Sequence, residues 1–319
     1  MIYREMPPVW DRAFLQRFLL HWGRESAVIS AAVRRVEYPE CTQLLSLKSA
    51  SGGHEDYFVD GRRIRVDDDT FLILNAGRTY GSLINAIKPV HSFSIFFGPG
   101  LAQGVRDALS RTTESLLGDP SADRHPPPEF EERLREHERT VTPVLRGIQQ
   151  VVDAGGGEDT WLEEQLHLLM ARMLRLQGRE WRSGEAISAT RRATRHELYR
   201  RVGLGVSFIH SRFHEPIGLE DVARAAHLSP FHFLRIFKQV YGVTPSSYLN
   251  RKRTLAALRL IRESEWTLTQ IAHLVSFGSR STLYRHLRAV RDPRLRRRLG
   301  EMRAELPRGA PRPTCPPTV

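Results

Sequence analysis

Cysteine is nearly absent from this 319-residue chain: Cys41 and Cys315 lie 274 positions apart, with no Cys-x-x-Cys. That excludes a thiolate zinc site and a disulfide framework as organising features. Long apolar runs are missing as well. The opening segment from Met1 to Trp22 is interrupted by Arg4, Asp11, Arg12 and Arg17, unlike a signal peptide, and no window reaches the ~18 apolar residues of a membrane span. The expectation is a soluble, cytoplasmic chain with no membrane partner. Catalytic signatures are scarce too. There is no Gly-x-Ser-x-Gly and no Gly-Lys-Ser/Thr loop, which removes the commonest serine hydrolase and nucleotide hydrolase patterns. His54-Glu55 and a distant His91 lack the His-x-His pair of a cupin metal centre, so neither metal nor cofactor is expected. Gly98 to Gly104 reads as a strand-to-helix turn, because no second parallel strand ending in an acid follows it. Asp67-Asp68-Asp69 lacks the rest of a calcium loop and reads as a turn between strands.

What the chain does have is positive charge gathered at one end. Residues 1–189 hold 23 basic and 27 acidic side chains, whereas residues 190–319 hold 25 and 9. Clustered Arg and Lys gain by releasing the counterions condensed on phosphates, so the pattern describes an acidic body joined to a part that meets a polyanion. Between Val28 and Phe97, short apolar runs with period-two alternation and turns at Gly52-Gly53 and Asp60-Gly61 predict a mainly β unit. After Leu101 the period changes. Helices are predicted over 104–117, 130–152 and 161–175, with a Pro-rich loop from Asp119 to Pro128. Leu162, Leu166, Leu169, Met173 and Leu176 form an apolar stripe at helical spacing that must bury against something. The polar, basic stretch from Ser183 to Arg195 marks a domain boundary.

Beyond Glu197 the sequence repeats itself. Leu219, Val222, Ala223 and Leu228 recur 49 positions later as Leu268, Ile271, Ala272 and Phe277, and Phe233, Phe237 and Lys238 recur 50 later as Leu283, Leu287 and Arg288. Each copy has the apolar spacing of a helix-turn-helix, with a small Ala where two helices cross. Ser229-Pro230 predicts an N-cap and first helical residue, and Thr267 with Gln270 a capping box. Between the copies, Gly242 predicts a helix stop, Thr244-Pro245 a restart, and Pro245 to about Glu263 a linking helix of ~28 Å. That length approaches one DNA turn of ~34 Å, so both second helices would enter successive major grooves of a bent duplex.

Leu219-Glu-Asp-Val-Ala223, the run from Leu228 to Lys238, Gly242-Val-Thr-Pro245, Tyr248, Arg253, Ala257, Leu260, Ile271-Ala272 and Phe277 together resemble the DNA-binding region of the AraC/XylS family of bacterial transcription regulators. The resemblance covers about a third of the chain. It implies that the second helix of the first copy reads bases most strongly, through positions matching Phe231, Leu234, Arg235 and Lys238. Helical spacing independently places these opposite Phe233, Ile236 and Phe237. A guanidinium at Arg235 suits the O6 and N7 of guanine, Phe231 a thymine methyl, and Lys238 a phosphate. The matching face of the second copy is Arg280, Ser281, Tyr284, Arg285 and Arg288. This copy departs from the pattern: Ser276 replaces the usual Gly, Leu283 and Leu287 the usual aromatics, and the closing element shortens to Arg291-Asp292-Pro293. A left-handed Ser276 would cost a kcal/mol or two on typical strain estimates.

Leu72-Ile-Leu-Asn75, Tyr80 and Phe93-Ser-Ile-Phe-Phe97 resemble the family's sensor domains less specifically. The fold class expected is α+β: an amino-terminal cupin-like β barrel with a helical dimerisation segment, then an all-α domain with two helix-turn-helix motifs joined by a long helix. The divisions expected are a sensor domain over 1–182, a linker over 183–197, the DNA-binding domain over 198–303 and a disordered tail over 304–319. The partners implied are double-stranded DNA, RNA polymerase, an unidentified small-molecule effector and a second copy in a homodimer. A non-enzymatic regulator, tending to activation, is the expectation. The alternatives are a cupin-type metalloenzyme fused to a DNA-binding module and a ligand-independent regulator.

Overall fold

The computed structural model describes residues 1–7, 22–110, 127–185, 187–188 and 192–290. The expected loop over 119–126, the end of the helix expected to reach 117, the Arg294–Arg298 run and the 304–319 tail lie outside the described residues. The architecture is α+β, with an amino-terminal sheet and a helical carboxyl-terminal region. Two compact units divide the chain: Met1–Ser211 with Leu219–Gly242, and Arg212–Gly218 with Val243–Val319.

Among the described residues the first unit holds eight strands: β1 (Ile2–Tyr3), β2 (Ala27–Thr42), β3 (Ser46–Ser51), β4 (His54–Val59), β5 (Arg62–Asp67), β6 (Thr70–Leu74), β7 (Thr79–Phe96) and β8 (Leu134–Glu136). They form one sheet in the order β1-β2-β7-β3-β6-β8, with β4 bridging β5 and β7. No pairing among the described residues joins β1 to β8, so the hydrogen-bonded ring stays open. The long strands β2 and β7 pair antiparallel from Ala27–Phe96 to Thr42–Thr79, and register shifts near Val33 and Tyr38 bend them. Asp60 and Gly61, read from the sequence as a turn, are both at positive φ (50° and 69°) and form a two-residue β4–β5 hairpin. The Asp67-Asp68-Asp69 turn also lies where expected, between β5 and β6.

The sheet buries both faces. Val28, Leu47, Phe71, Ile73, Phe93 and Ile95 pack against helices, while Tyr57, Val59, Val66, Leu72, Leu74 and Ile84 form a second core on the other side. The covering helices are α1 (Leu101–Ser110), α2 (Thr142–Asp153) and α3 (Asp159–Glu185). The stripe on α3 meets its own sheet: Leu162, Leu166, Leu169 and Met173 are buried there and Leu176 partly so. It is therefore not an open face for a partner. The helix expected from Phe130 to Val152 is corrected. Leu134–Glu136 instead pairs with Thr70–Leu72 as β8, and α2 begins only at Thr142, where Pro143 occupies the first turn. Pro143 would remove a backbone bond and clash in the middle of a longer helix, and the tertiary pairing with β6 takes the preceding residues.

α4 (Arg192–Arg212) leads to α5 (Leu219–Ala225) and α6 (Pro230–Tyr241), which complete this unit. The second unit contains α7 (Pro245–Glu263), α8 (Leu268–Leu274) and α9 (Arg280–Arg288). Its core gathers Ala257, Ile261, Leu268, Ile271, Ala272, Phe277, Leu283 and Leu287. Every helix start and stop read from this region recurs. Gly242 is left-handed at φ 71° and closes α6, Thr244 caps α7, and Thr267 and Gln270 form the reciprocal capping box of α8. Arg253 ties α7 to the entering chain by donating to the Phe213 and Glu215 carbonyls, both at 2.7 Å.

Candidate nucleic-acid interface

The position of α6 is fixed before its outward face is considered. α5 buries Val222 and Ala223 and ends where the Leu228 N–H donates to the Ala223 carbonyl at 3.0 Å, with His227 left-handed at φ 53°. That geometry satisfies the last carbonyls of a helix. Arg201 of α4 supports the turn by donating to the His227 carbonyl at 3.1 Å. Ser229 then accepts the His232 N–H at 3.4 Å and Pro230 opens α6. Phe233, Ile236 and Phe237 are buried, and Phe233 sits so close to Gly205 of α4 that a Cβ there would lie 2.6 Å from its ring.

With those three residues inward, helical spacing turns the others out. Phe231 is 79% exposed, Arg235 and Lys238 are exposed, and Leu234 lies half-buried at the margin. Among the described residues neither Arg235 nor Lys238 has an ion-pair partner. Nearby arginines differ: Arg224 pairs with Asp221 at 3.3 Å, and Arg200 and Arg201 with Glu197 at 2.8 and 2.7 Å. The cations on the outward face of α6 are thus left to water or to an anionic partner.

The second helix pair is assembled in the same way. The Phe277 N–H donates to the Ala272 carbonyl at 2.8 Å, matching Leu228 to Ala223 49 positions earlier. Ser276 takes the left-handed conformation, φ 55°, and its Oγ donates to the His214 carbonyl at 2.7 Å, a bond that offsets part of the strain. Ser279 caps α9 by accepting the Thr282 N–H at 3.2 Å. Leu283 and Leu287 are buried, so Ser281, Arg285 and Arg288 face outward. Arg280 is half-buried, as is Tyr284, which packs partly against the core of its unit. No ion-pair partner holds Arg280, Arg285 or Arg288 among the described residues.

A buried ionic cluster anchors α4 to the sheet. Arg133 and Arg135 flank Glu180 at 2.8 and 2.9 Å, Arg133 also donates to the Tyr199 hydroxyl at 3.1 Å, and the Leu134 N–H donates to Ser207 Oγ at 3.0 Å. Burial pushes the Glu180 carboxyl up, but the two guanidiniums pull harder and hold it below the usual range.

The sequence reading missed Arg201, Ser279 and this cluster. It also missed Lys48 and Glu55, charged residues buried in β3 and β4. Their signal was a charge interrupting short strand runs, as in Leu47-Lys48-Ser49-Ala50. Among the described residues no three His, Cys, Asp or Glu side chains gather where they would hold a metal ion. No described helix is long and apolar enough to cross a membrane.

Residues 222–292 match a family model described as a helix-turn-helix domain. The regulatory protein PocR of Salmonella typhimurium is 32% identical over 97 residues, and the transcriptional activator RhaS of Salmonella paratyphi B is 31% identical over 156. Through this helix-turn-helix domain the chain is similar to these two regulators. These matches span 30% and 47% of this chain, and 31% and 53% of the two relatives' own lengths. Among solved structures, the DNA-binding domain of AdpA in complex with a target DNA is 27% identical, covering 34% of this chain and 98% of that one, with a TM-score of 0.29. ToxT from Vibrio cholerae covers 83% of this chain and 93% of its own at 9% identity, with a TM-score of 0.35. Both of these relatives, PocR and RhaS, carry names of regulators, a regulatory protein and a transcriptional activator.

Proposed function

We propose that this protein is a sequence-specific DNA-binding transcription regulator, an activator controlled by a small molecule through its amino-terminal domain. In this reading residues 1–182 sense, 183–197 link and 198–303 bind double-stranded DNA through two helix-turn-helix motifs, α5–α6 and α8–α9. The observation that carries it is the outward face of α6: Phe231, Arg235 and Lys238 project from a helix whose inward side is fully buried, and the two cations lack partners among the described residues. Arg235 would read a guanine, Phe231 a thymine methyl, with Leu234 at the edge and Lys238 on a phosphate. In α9, Arg280, Ser281, Tyr284, Arg285 and Arg288 form the second contact face, which leans to phosphate because Tyr284 is partly committed to the core. An effector would occupy a cupin-like half-barrel formed by the bent β2 and β7. A homodimer, recruitment of RNA polymerase and a cytoplasmic location complete the proposal.

The test is binding by the full-length protein to oligonucleotides selected from a random pool. Arg235→Ala is expected to cost ~1–3 kcal/mol and relax preference at one base pair, and Lys238→Ala to weaken all sequences alike and reduce the salt dependence. Unchanged affinity and preference in both variants would refute the assignment of α6.

A further inference from the structure

Strands β2, β3, β4 and β7 contribute to the wall of a cavity of about 370 Å³, at the lower end of the ~300–1,000 Å³ usual for small-molecule sites. Much of its lining is aromatic or apolar: Trp22, Ile29, Tyr57, Tyr80 and Phe96. Among the described residues two charged side chains share that lining, Lys48 and Glu55, each only 2% exposed. They are held differently. Glu55 accepts a hydrogen bond from Ser92 Oγ at 2.7 Å. Lys48 Nζ has neither an acceptor nor an ion-pair partner among the described residues. Its neighbours are ring faces: the centroids of Phe96, Tyr80 and Tyr57 lie 3.6, 5.2 and 5.9 Å away. Rings attract an ammonium but accept none of its three hydrogen bonds in the way water does. Packing alone would favour an uncharged side chain of the same length here.

We propose that this cavity binds a small organic monocarboxylic acid, its carboxylate meeting Lys48 and its apolar body lying among Trp22, Tyr57, Tyr80 and Phe96. The inference deepens the small-molecule sensing proposed above and rests on it. Charge selects the class. A cation would face Lys48, and a neutral polyol would use the Ser82, Ser92 and Ser94 hydroxyls and leave the ammonium unanswered. A phosphate ester would set two negative charges against one cation and beside Glu55. A monocarboxylate brings one charge to one ammonium, and Glu55 repels that end from its own side of the cavity. Lys48 also supplies a readout. Burial lowers its pKa to about 7, opposed by the charges of Glu55 and Cys41, while burial holds Tyr38, Tyr57 and Tyr80 neutral. A bound carboxylate favours the ammonium, so binding takes up a proton above pH 7.

The experiment uses the full-length protein with benzoate, phenylacetate and octanoate, each against its amide, and with glucose and benzylamine as neutral and cationic probes. At least one acid is expected to raise the melting temperature while its amide does not, and Lys48→Met to abolish that shift. Calorimetry of the unmodified protein in HEPES and Tris at pH 8 is expected to show proton uptake that fades at pH 6. Equal responses to acid and amide, a shift retained in Lys48→Met, or binding without proton uptake would each overturn the proposal. A response to glucose or benzylamine but to no acid would overturn the ligand class and leave sensing intact. Silence from every probe overturns the acid site, and the Arg235 and Lys238 measurements then decide the DNA-binding function separately.

Discussion

Replacing Lys48 by Met should stabilise the protein, and by an amount that depends on pH in a defined direction. Lys48 is 2% exposed, and burial lowers its pKa from an ordinary 10.5 to about 7. At 1.36 kcal/mol per pH unit the drop corresponds to about 5 kcal/mol. The unfolded chain holds the Lys48 proton more tightly, so between pH 7 and 10.5 the unfolded state binds more protons and wild-type stability rises with pH. Below pH 7 both states are protonated and the whole penalty applies; above 10.5 both are neutral and it vanishes. Met fills similar space without a charge and carries no such dependence. The advantage of Lys48→Met should therefore be about 5 kcal/mol at pH 6 and about 2 kcal/mol at pH 9. Urea unfolding at several pH values, followed by circular dichroism and by the fluorescence of Trp22 beside Phe96, measures the difference. An advantage that stays constant from pH 6 to 9, or a variant less stable than wild type at pH 6, would refute the argument that a buried ammonium without a hydrogen-bond acceptor among the described residues sits in this cavity.

Three other substitutions probe the scaffold of the reading helices. Gly205→Ala places a methyl 2.6 Å from Phe233 and 3.2 Å from Val222, so it should destabilise by ~1–3 kcal/mol through overpacking and weaken DNA binding, checked by thermal melts and fluorescence anisotropy. Ser276→Gly removes left-handed strain of ~1 kcal/mol but gives up the bond to the His214 carbonyl, itself worth ~1 kcal/mol. Its melting temperature should stay within a few degrees of wild type, and a large drop would show that the bond dominates. Glu180→Ala leaves Arg133 and Arg135 buried without their carboxylate and should cost ~3–5 kcal/mol in urea unfolding. In the unmodified protein the stability contributed by Glu180 is present above the ordinary glutamate range and is lost as pH falls through its depressed pKa.

The legibility of this protein follows the range of the interactions that build it. Helix ends in the carboxyl-terminal region rest on local bonds, Ser229 to His232, Thr244 to Ser247 and Thr267 to Gln270, and each is written within four residues. The outward face of α6 was legible for the same reason, since Phe233, Ile236 and Phe237 fix the rotation of a helix by spacing alone. Strand β8 was not legible, because Leu134 gains its place from β6, more than sixty positions away. Lys48 and Glu55 were missed on similar grounds: alternation reports which side of a strand is apolar, not whether a cavity lies there.

The least legible feature is the way α4 serves two neighbours. Gly203 and Gly205 each carry the cost of glycine within a helix, ~1 kcal/mol relative to Ala. Each marks a close approach. A Cβ at Gly203 would lie 2.6 Å from the Arg133 side chain, and one at Gly205 the same distance from Phe233. One turn of α4 therefore meets the arginine of the buried cluster beside β8 and the central aromatic of α6. Ser207 adds the hydrogen bond to Leu134. A shift of β8 or α3 that moved Arg133 would press on the helix holding Phe233, whose place fixes where Arg235 points. Small residues at 203 and 205 let these elements meet within one packed unit, so the cost of glycine in the helix is offset by contacts that no local pattern records.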